Sequence, residues 1–188
     1  PESAMPKVAQ KKKIKKIVIK NGVTELPEDA FRDCSKATVI TIAPTVNRIG
    51  AMAFYKTGVE KITIPKKARN LGYGMLQNCK NLKELTIPGN FWAREPKKAV
   101  NKKNLIGSLI LGNDNSNIVK KVKFSTDFVW QCQETLGDCE EFEVLETDPY
   151  YKSIDGCIYS KDGKRLEAVP YGRKEIDIAE GCETIDVQ

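Results

Sequence analysis

Short runs of alternating apolar and polar residues recur along the chain. The clearest are Ile40-Thr-Ile42, Ile62-Thr-Ile64 and Leu85-Thr-Ile87, and a proline directly follows the second and the third. A period of two with β-branched residues predicts short β-strands, each with an outward-pointing threonine between two inward-pointing apolar residues.

The runs return at a nearly constant interval. Their first apolar residues are Ile17, Ile40, Ile62, Leu85, Val122, Leu145 and Ile176. Four of the six intervals are 22 or 23 residues, and the two longer ones indicate repeats with insertions. One repeat of this length cannot bury its own apolar face, so the repeats are expected to stack and share one core.

The pattern Leu82-x-x-Leu85-x-Ile87 is the strand signature of a leucine-rich repeat, and similar copies begin at Ile14, Val59 and Val119. It predicts a leucine-rich-repeat solenoid of the α/β class. A parallel β ladder is expected on one face, with short helical or irregular turns opposite. Two interior columns are predicted, one of Leu26, Ile49 and Leu71 and one of Phe31, Phe54, Leu76 and Leu136.

Three motifs carry a resemblance to a known family. They are the Ala-Phe-x-x-Cys motif at Ala30 to Cys34, the Ile-x-Ile-Pro strand ends, and the Ser-Ile-Asp-Gly segment within residues 150–163. Together they resemble BspA-like leucine-rich-repeat surface proteins over residues 14–188, with the weakest match at 91–111. The resemblance implies a secreted or cell-surface protein with an adhesive role. It also implies a hairpin between repeats, which the Asp-Gly turns place at 153–168.

We therefore expect residues 1–188 to form a single leucine-rich-repeat domain. Residues 13–90 are predicted to hold regular repeats, 91–111 an irregular insertion and 112–149 further repeats. Residues 150–172 are predicted to form a hairpin insertion, and 173–188 the start of a further repeat or a cap.

Charge is distributed unevenly. The chain carries 31 basic and 25 acidic residues, a net charge of +6. Residues 1–127 hold 25 of the basic and 10 of the acidic residues, whereas 128–188 hold 6 and 15, so the net charges are +15 and −9. This asymmetry fits a polyanionic or acidic partner for the basic part, end-to-end self-association, or solvated faces with no partner.

Several classes of chemistry are not supported. The chain of 188 residues has no histidine, which excludes Ser-His-Asp and Cys-His catalysis and histidine metal sites. No Cys-x-x-Cys occurs, so neither a metal nor a cofactor is predicted. No run approaches the roughly 18 apolar residues of a spanning helix, and the N-terminus lacks a leader pattern, so no membrane insertion is expected.

Half of the six cysteines share one position in the repeat. Cys34, Cys79 and Cys139 each lie six residues before a predicted strand, two coils apart. Two coils are about 10 Å apart, farther than the roughly 7 Å that a disulfide spans between Cα atoms. These three are predicted to be buried free thiols. Any disulfide would come from the other three, Cys132, Cys157 and Cys182.

Outward-pointing strand residues form the predicted binding surface, because solenoids usually bind through this face. The predicted rows are Thr38, Val39, Thr41; Glu60, Lys61, Thr63; Lys83, Glu84, Thr86; Lys120, Lys121, Lys123; and Glu143, Val144, Glu146. The candidate binding residues are Lys61, Thr63, Lys83, Thr86, Lys120, Lys121, Lys123 and Trp92. The lysine row and the acidic row are expected to neutralise each other in part. Trp92, in the basic stretch 90–103, is either a contact residue or a plug at the side of the solenoid.

Three functions follow, in order of preference. The first is a non-enzymatic module that binds a protein or glycan of a host or neighbouring cell through its strand face. The second is polyanion binding by the basic N-terminal half, without sequence-specific recognition of nucleic acid. The third is a polysaccharide-active enzyme, for which Glu143, Glu146 and Asp177 are the carboxylates considered.

Overall fold

The computed structural model describes residues 8–89, 119–126 and 139–187. Its elements are the short helix α1 (Val8–Lys11) and the strands β1 (Lys16–Val18), β2 (Glu25–Leu26), β3 (Val39–Thr41), β4 (Arg48–Ile49), β5 (Lys61–Thr63), β6 (Asn70–Leu71), β7 (Glu84–Ile87), β8 (Lys121–Phe124), β9 (Glu141–Glu143), β10 (Tyr151–Ile154), β11 (Cys157–Ser160), β12 (Arg165–Ala168) and β13 (Thr184–Ile185). Within these residues no helix is long and apolar enough to cross a membrane.

The main sheet is a parallel ladder of six strands in the order β1-β3-β5-β7-β8-β9. Its register pairs the first apolar residues of successive repeats, for example Ile62 with Leu85 and Leu85 with Val122. The alternating residues point inward, and Ile62, Leu85 and Val122 are buried. The predicted leucine-rich-repeat solenoid and its parallel ladder are thus confirmed. The turns opposite the ladder are irregular rather than helical in the described residues.

A second parallel ladder lies one corner farther along each coil and was not predicted as strands. It consists of β2, β4 and β6, each only two residues long. Its inward residues are the predicted column Leu26, Ile49 and Leu71, of which the first two are buried and the third is partly buried. Sequence periodicity cannot reveal strands of two residues, although it did identify the residues that point inward.

The backbones of neighbouring coils approach each other closely just after the strands of the second ladder. A Cβ atom on Gly50 would lie 2.4 Å from the backbone nitrogen of Glu28, and one on Gly72 would lie 2.0 Å from that of Ala51. Only glycine allows the coils to stack this tightly at the corner.

The interior on the turn side is built from stacked apolar side chains. Phe31 and Phe54 stack with ring centroids 5.7 Å apart and planes 7° from parallel. Phe54 and Leu76 are fully buried in the same core. The predicted column is therefore present in these three coils, while Leu136 lies outside the described residues.

The cysteines confirm the prediction of free buried thiols and correct one position. Cys34, Cys79 and Cys139 are buried and unpaired, and the intervening coil places Thr57 beside Cys79, with Oγ1 3.2 Å from Sγ. Cys139, however, lies three residues before its strand residue Phe142, as Leu82 does before Leu85, so it occupies a different column from Cys34 and Cys79. Cys157 and Cys182 are also free thiols, whereas Cys132 lies outside the described residues.

Two predicted strands are wrong in register. The sixth strand was expected at Leu145, but β9 pairs Phe142 with Val122, so Val144 is buried rather than outward-pointing. A strand was also expected at Ile176, but the strand in this region is β13, which pairs in parallel with β12. The sequence Cys139-x-x-Phe142-x-Val144 matches the repeat signature better than the Leu145 register does.

The predicted C-terminal hairpin is present and has a third strand. β10, β11 and β12 form an antiparallel meander, with Tyr151 opposite Ser160 and Tyr159 opposite Leu166. It joins the end of the main ladder, because Phe142 of β9 donates its N–H to the carbonyl of Gly156. The ladder therefore ends against the hairpin.

Candidate functional site

The strand face is defined here as the outward-pointing side chains of the main ladder. They are Lys16 and Val18, Val39 and Thr41, Lys61 and Thr63, Glu84 and Thr86, Lys121 and Lys123, and Glu141 and Glu143. Five of the predicted binding residues therefore lie together on one surface: Lys61, Thr63, Thr86, Lys121 and Lys123. Lys83 and Lys120 each lie just before a strand, and Trp92 lies outside the described residues.

Ion pairs connect neighbouring rows of the strand face. Glu84 accepts from Lys61 at 3.1 Å and from Lys123 at 3.4 Å, and it therefore links β5 to β8. Lys123 also reaches Glu143 at 3.4 Å. Only 18% of the Glu84 side chain is exposed, so this carboxylate is the best shielded member of the network.

The network continues to the last row. Lys121 contacts Glu141 at 3.0 Å and Glu143 at 2.8 Å, and beside the face Lys120 contacts Glu140 at 2.6 Å. We name the six residues of the face that are joined in this way the charge lattice: Lys61, Glu84, Lys121, Lys123, Glu141 and Glu143. It contains three cations and three anions, and so it is neutral as a whole.

The pairing shifts the pKa values of its members. Lys121 donates hydrogen bonds to Glu143, the larger effect, and to Glu141, and these raise its pKa to about 12. The Lys121 ammonium in turn lowers the pKa of Glu143. Burial acts to raise the pKa of Glu84, but hydrogen bonds and charges from Lys61 and Lys123 outweigh it and lower that pKa. All three groups are therefore ionised at neutral pH.

The predicted neutralisation between lysine and acidic rows is thus present, but with different residues. The acidic row consists of Glu141 and Glu143, not Glu143, Val144 and Glu146, because of the register of β9. Four of the predicted binding lysines have carboxylate partners, namely Lys61, Lys120, Lys121 and Lys123. Their charges are largely committed to the protein itself.

The N-terminal half of the strand face is mostly uncharged. Val18 and Val39 are 50% and 47% exposed, which is high for valine in a sheet. Beside them lies a shallow depression of about 200 Å³, lined by Thr41, Thr63 and Thr86 and also by the ion pair of Lys61 with Glu84. We name the two valines and the three threonines the neutral strip. The candidate set omitted its valines, although the alternation Ile17-Val18-Ile19 places Val18 outward.

A larger concavity lies where the strand face meets the hairpin. This hairpin groove has a volume of about 760 Å³ and runs from Thr86 on β7 to Lys161 in the loop after β11. Its other lining residues are Lys123, Phe124, Ser125, Glu143, Val144, Leu145, Glu146, Thr147, Lys152 and Ser153. Sequence reasoning missed this groove because it depends on how the hairpin packs against β9.

The described residues offer no support for metal or acid–base chemistry. Across 8–89, 119–126 and 139–187, no three cysteine, aspartate or glutamate side chains form a group that could hold a metal ion. Of the carboxylates considered for glycan hydrolysis, Glu143 has a lowered pKa because Lys121 hydrogen-bonds to it. A general acid needs the opposite shift.

Comparison with known proteins agrees with this architecture. The model of the BspA type leucine-rich repeat region matches residues 7–126 with six copies. No curated protein matches the chain in sequence.

Two solved structures are similar to the chain. A leucine-rich repeat protein from Eubacterium ventriosum has 18% identity and a TM-score of 0.47, over 95% of this chain and 47% of that one. The pneumococcal vaccine antigen PcpA has 16% identity and a TM-score of 0.45, over 92% of this chain and 41% of that one. The chain thus spans less than half the length of either protein.

Proposed function

The chain belongs to the BspA-type leucine-rich repeat family, and on this basis we propose that it is a non-enzymatic interaction module of a secreted or cell-surface protein. The module binds a macromolecule of a host or neighbouring cell, and the strand face is its contact surface. The cell-surface setting follows from the resemblance to the BspA-like family.

The neutral strip is the observation that carries this proposal. Its two exposed valines lie beside three threonines, each of which offers a methyl group and a hydroxyl. The charges beside it, Lys61 and Glu84, are already paired with each other at 3.1 Å, which lowers the cost of removing water from this surface. The adjacent charge lattice is neutral, and it would form a polar rim around the contact.

The same geometry disfavours polyanion binding through the strand face. A polyanion gains affinity when free lysines or arginines replace its counterions. On this face Lys61, Lys121 and Lys123 already hold carboxylates within 3.4 Å. Binding through them would require those ion pairs to break.

Binding to a panel of immobilised extracellular-matrix proteins, heparin and duplex DNA tests the proposal, at low and at physiological salt. We expect selective binding to a protein that survives physiological salt. The double variant Val39→Ala/Thr63→Ala should weaken it at least tenfold, about 1.4 kcal/mol. The matched control is Tyr73→Ala, which truncates a side chain that is 45% exposed outside the strand face.

Two results would contradict the proposal. One is binding to heparin and DNA alone that disappears at physiological salt, which would favour the basic N-terminal half as a polyanion site. The other is protein binding that the double variant leaves unchanged. Circular dichroism of each variant checks that its fold is intact.

A further inference from the structure

The hairpin groove has a chemistry that the strand face lacks. We propose that it is a binding site for an acidic, extended segment of a partner protein. The inference rests on the proposed function, which it deepens by naming a second contact and its chemistry. It is carried by the shape of the groove, its uncommitted lysines and one buried hydroxyl.

The shape of the groove suits a peptide. Its volume of about 760 Å³ lies within the roughly 300–1,000 Å³ of typical ligand sites. Phe124 and Val144 are buried apolar lining residues, and Leu145 is partly buried beside them. Apolar side chains of a bound segment could therefore pack there while its polar groups meet the walls.

Two lysines of the hairpin make the groove wall cationic. Lys152 and Lys161 line it, and neither forms an ion pair with any of the described residues. The Lys161 ammonium donates to the backbone carbonyl of Glu146 at 2.7 Å. A carbonyl fixes the position of the ammonium without cancelling its charge, so the charge remains available to a ligand.

The acidic residues of the groove do not offset these lysines. Glu143 already accepts from Lys121 and Lys123 of the charge lattice. Glu146 is exposed, and its carboxylate has no ion pair within the described part of the chain. Asp162, in the hairpin turn, lies within electrostatic range of Lys152, but its carboxylate already accepts from Ser160 and from the N–H of Lys164. Among the residues that line the groove, two lysines without an ion pair therefore stand against one such carboxylate. The groove is a local positive site within the C-terminal part of the chain, where acidic residues predominate.

Hydroxyl groups complete a site for a carboxylate. The Ser125 hydroxyl lines the groove and is buried, and it has no hydrogen-bond partner among the residues that the structure describes. Ser153 accepts from the N–H of Val144 at 2.8 Å, so its own hydrogen can be donated. A carboxylate has about four lone-pair positions to fill. The ammonium groups and hydroxyl donors of the groove can together fill these positions. An amide or a neutral sugar carries no negative charge and would therefore gain less from the same donors.

The probe is a blocked peptide of alternating glutamate and leucine, six residues long, and its counterpart has glutamine at each glutamate. Titration of the full chain by nuclear magnetic resonance should give saturable shifts at the amides of Lys152, Ser153 and Lys161. The glutamine peptide should bind at least tenfold more weakly. The same loss is expected for Lys152→Gln/Lys161→Gln with the acidic peptide.

The control is Lys36→Gln, which removes an exposed lysine outside both the strand face and the groove that forms no ion pair with the described residues. It should leave the peptide affinity unchanged. Equal binding of both peptides, or equal loss with Lys36→Gln, would overturn the groove assignment. The assignment would also be overturned if heparin hexasaccharide shifted the amide resonances of the groove and the acidic peptide did not.

The two proposals can fail separately. The neutral-strip variant Val39→Ala/Thr63→Ala should bind the acidic peptide normally, because neither residue lines the groove. If it does, while no matrix protein binds, the groove is a site and the strand-face function is wrong. Matrix-protein binding that depends on the strip, without peptide binding, would instead reject the groove.

Discussion

Gly72→Ala tests how closely the coils must stack. The Cβ of alanine would lie 2.0 Å from the backbone nitrogen of Ala51 and 2.5 Å from its Cα, whereas ordinary contacts begin at 3.4 Å. Both atoms belong to backbone, so no side chain can rotate away. The two coils would have to separate by about 1.4 Å, more than a quarter of the roughly 4.8 Å spacing between parallel strands.

The cost of this separation can be worked from the neighbouring hydrogen bonds. Gly72 donates to the carbonyl of Ile49 at 2.7 Å, and Met52 donates to that of Tyr73 at 3.1 Å. Both bonds would lengthen past 3.5 Å, at a cost of about 1 kcal/mol each. Overpacking adds about 1–3 kcal/mol. The free energy of unfolding should therefore fall by about 3–5 kcal/mol.

Urea denaturation followed by circular dichroism measures the effect. With a slope of about 2 kcal/mol per molar urea, the midpoint should fall by roughly 1.5–2.5 M. The control is Gly22→Ala, where the added Cβ meets nothing within 4 Å and only the positive φ of 98° is strained. That strain costs about 1–2 kcal/mol. If Gly72→Ala is no more destabilising than this control, the close approach does not govern stacking.

Two further predictions concern titratable groups. The folded state lowers the pKa of Glu84, so its charge stabilises the protein above about pH 4.5, and this stabilisation is lost as the pH falls through the folded pKa. Glu84→Gln should therefore lower the free energy of unfolding by about 1 kcal/mol at pH 7, as measured by urea denaturation, and a difference at pH 3 as large as that at pH 7 would contradict this. Burial raises the pKa of the Cys139 thiol to about 11 from an ordinary 9.0. Because the thiolate is the reactive form, iodoacetamide at pH 8 should alkylate Cys139 roughly 100-fold more slowly in the folded than in the unfolded protein, as measured by mass spectrometry. The partly exposed Cys182 is the internal comparison, and equal rates for the two thiols would refute the second prediction.

The main ladder was predictable because its signal is repeated in phase. Ile17, Ile40, Ile62 and Leu85 share a spacing of 22 or 23 residues and a flanking pattern, so each copy supports the others. The prediction of the sixth strand was wrong where that support was missing. Its first signature position is Cys139 rather than leucine, and the interval of 23 residues from Val122 favoured a register three residues later, at Leu145.

The candidate site was predictable only in part, because side-chain pairing depends on register. Lys61, Lys121 and Lys123 do lie outward on one face, as expected. The acidic partners could be named only once β9 was placed, so the extent of neutralisation was underestimated. The hairpin groove depends on packing between elements distant in sequence, and no local pattern encodes it.

The charge lattice also limits which coils can be neighbours in the ladder. Along the ladder, the row of Lys61 is followed by that of Glu84, then by Lys121 and Lys123, then by two glutamates. If recombination deleted the coil of β7, Lys61 would face two lysines across about 4.8 Å. Duplication of the β8 coil would stack lysines in the same way. Gain and loss of repeats, the usual route by which solenoids change length, is therefore constrained here. Exchange of the coils bearing Thr41 and Thr63 is constrained as well, because it would separate Lys61 from Glu84 and place it opposite Lys16.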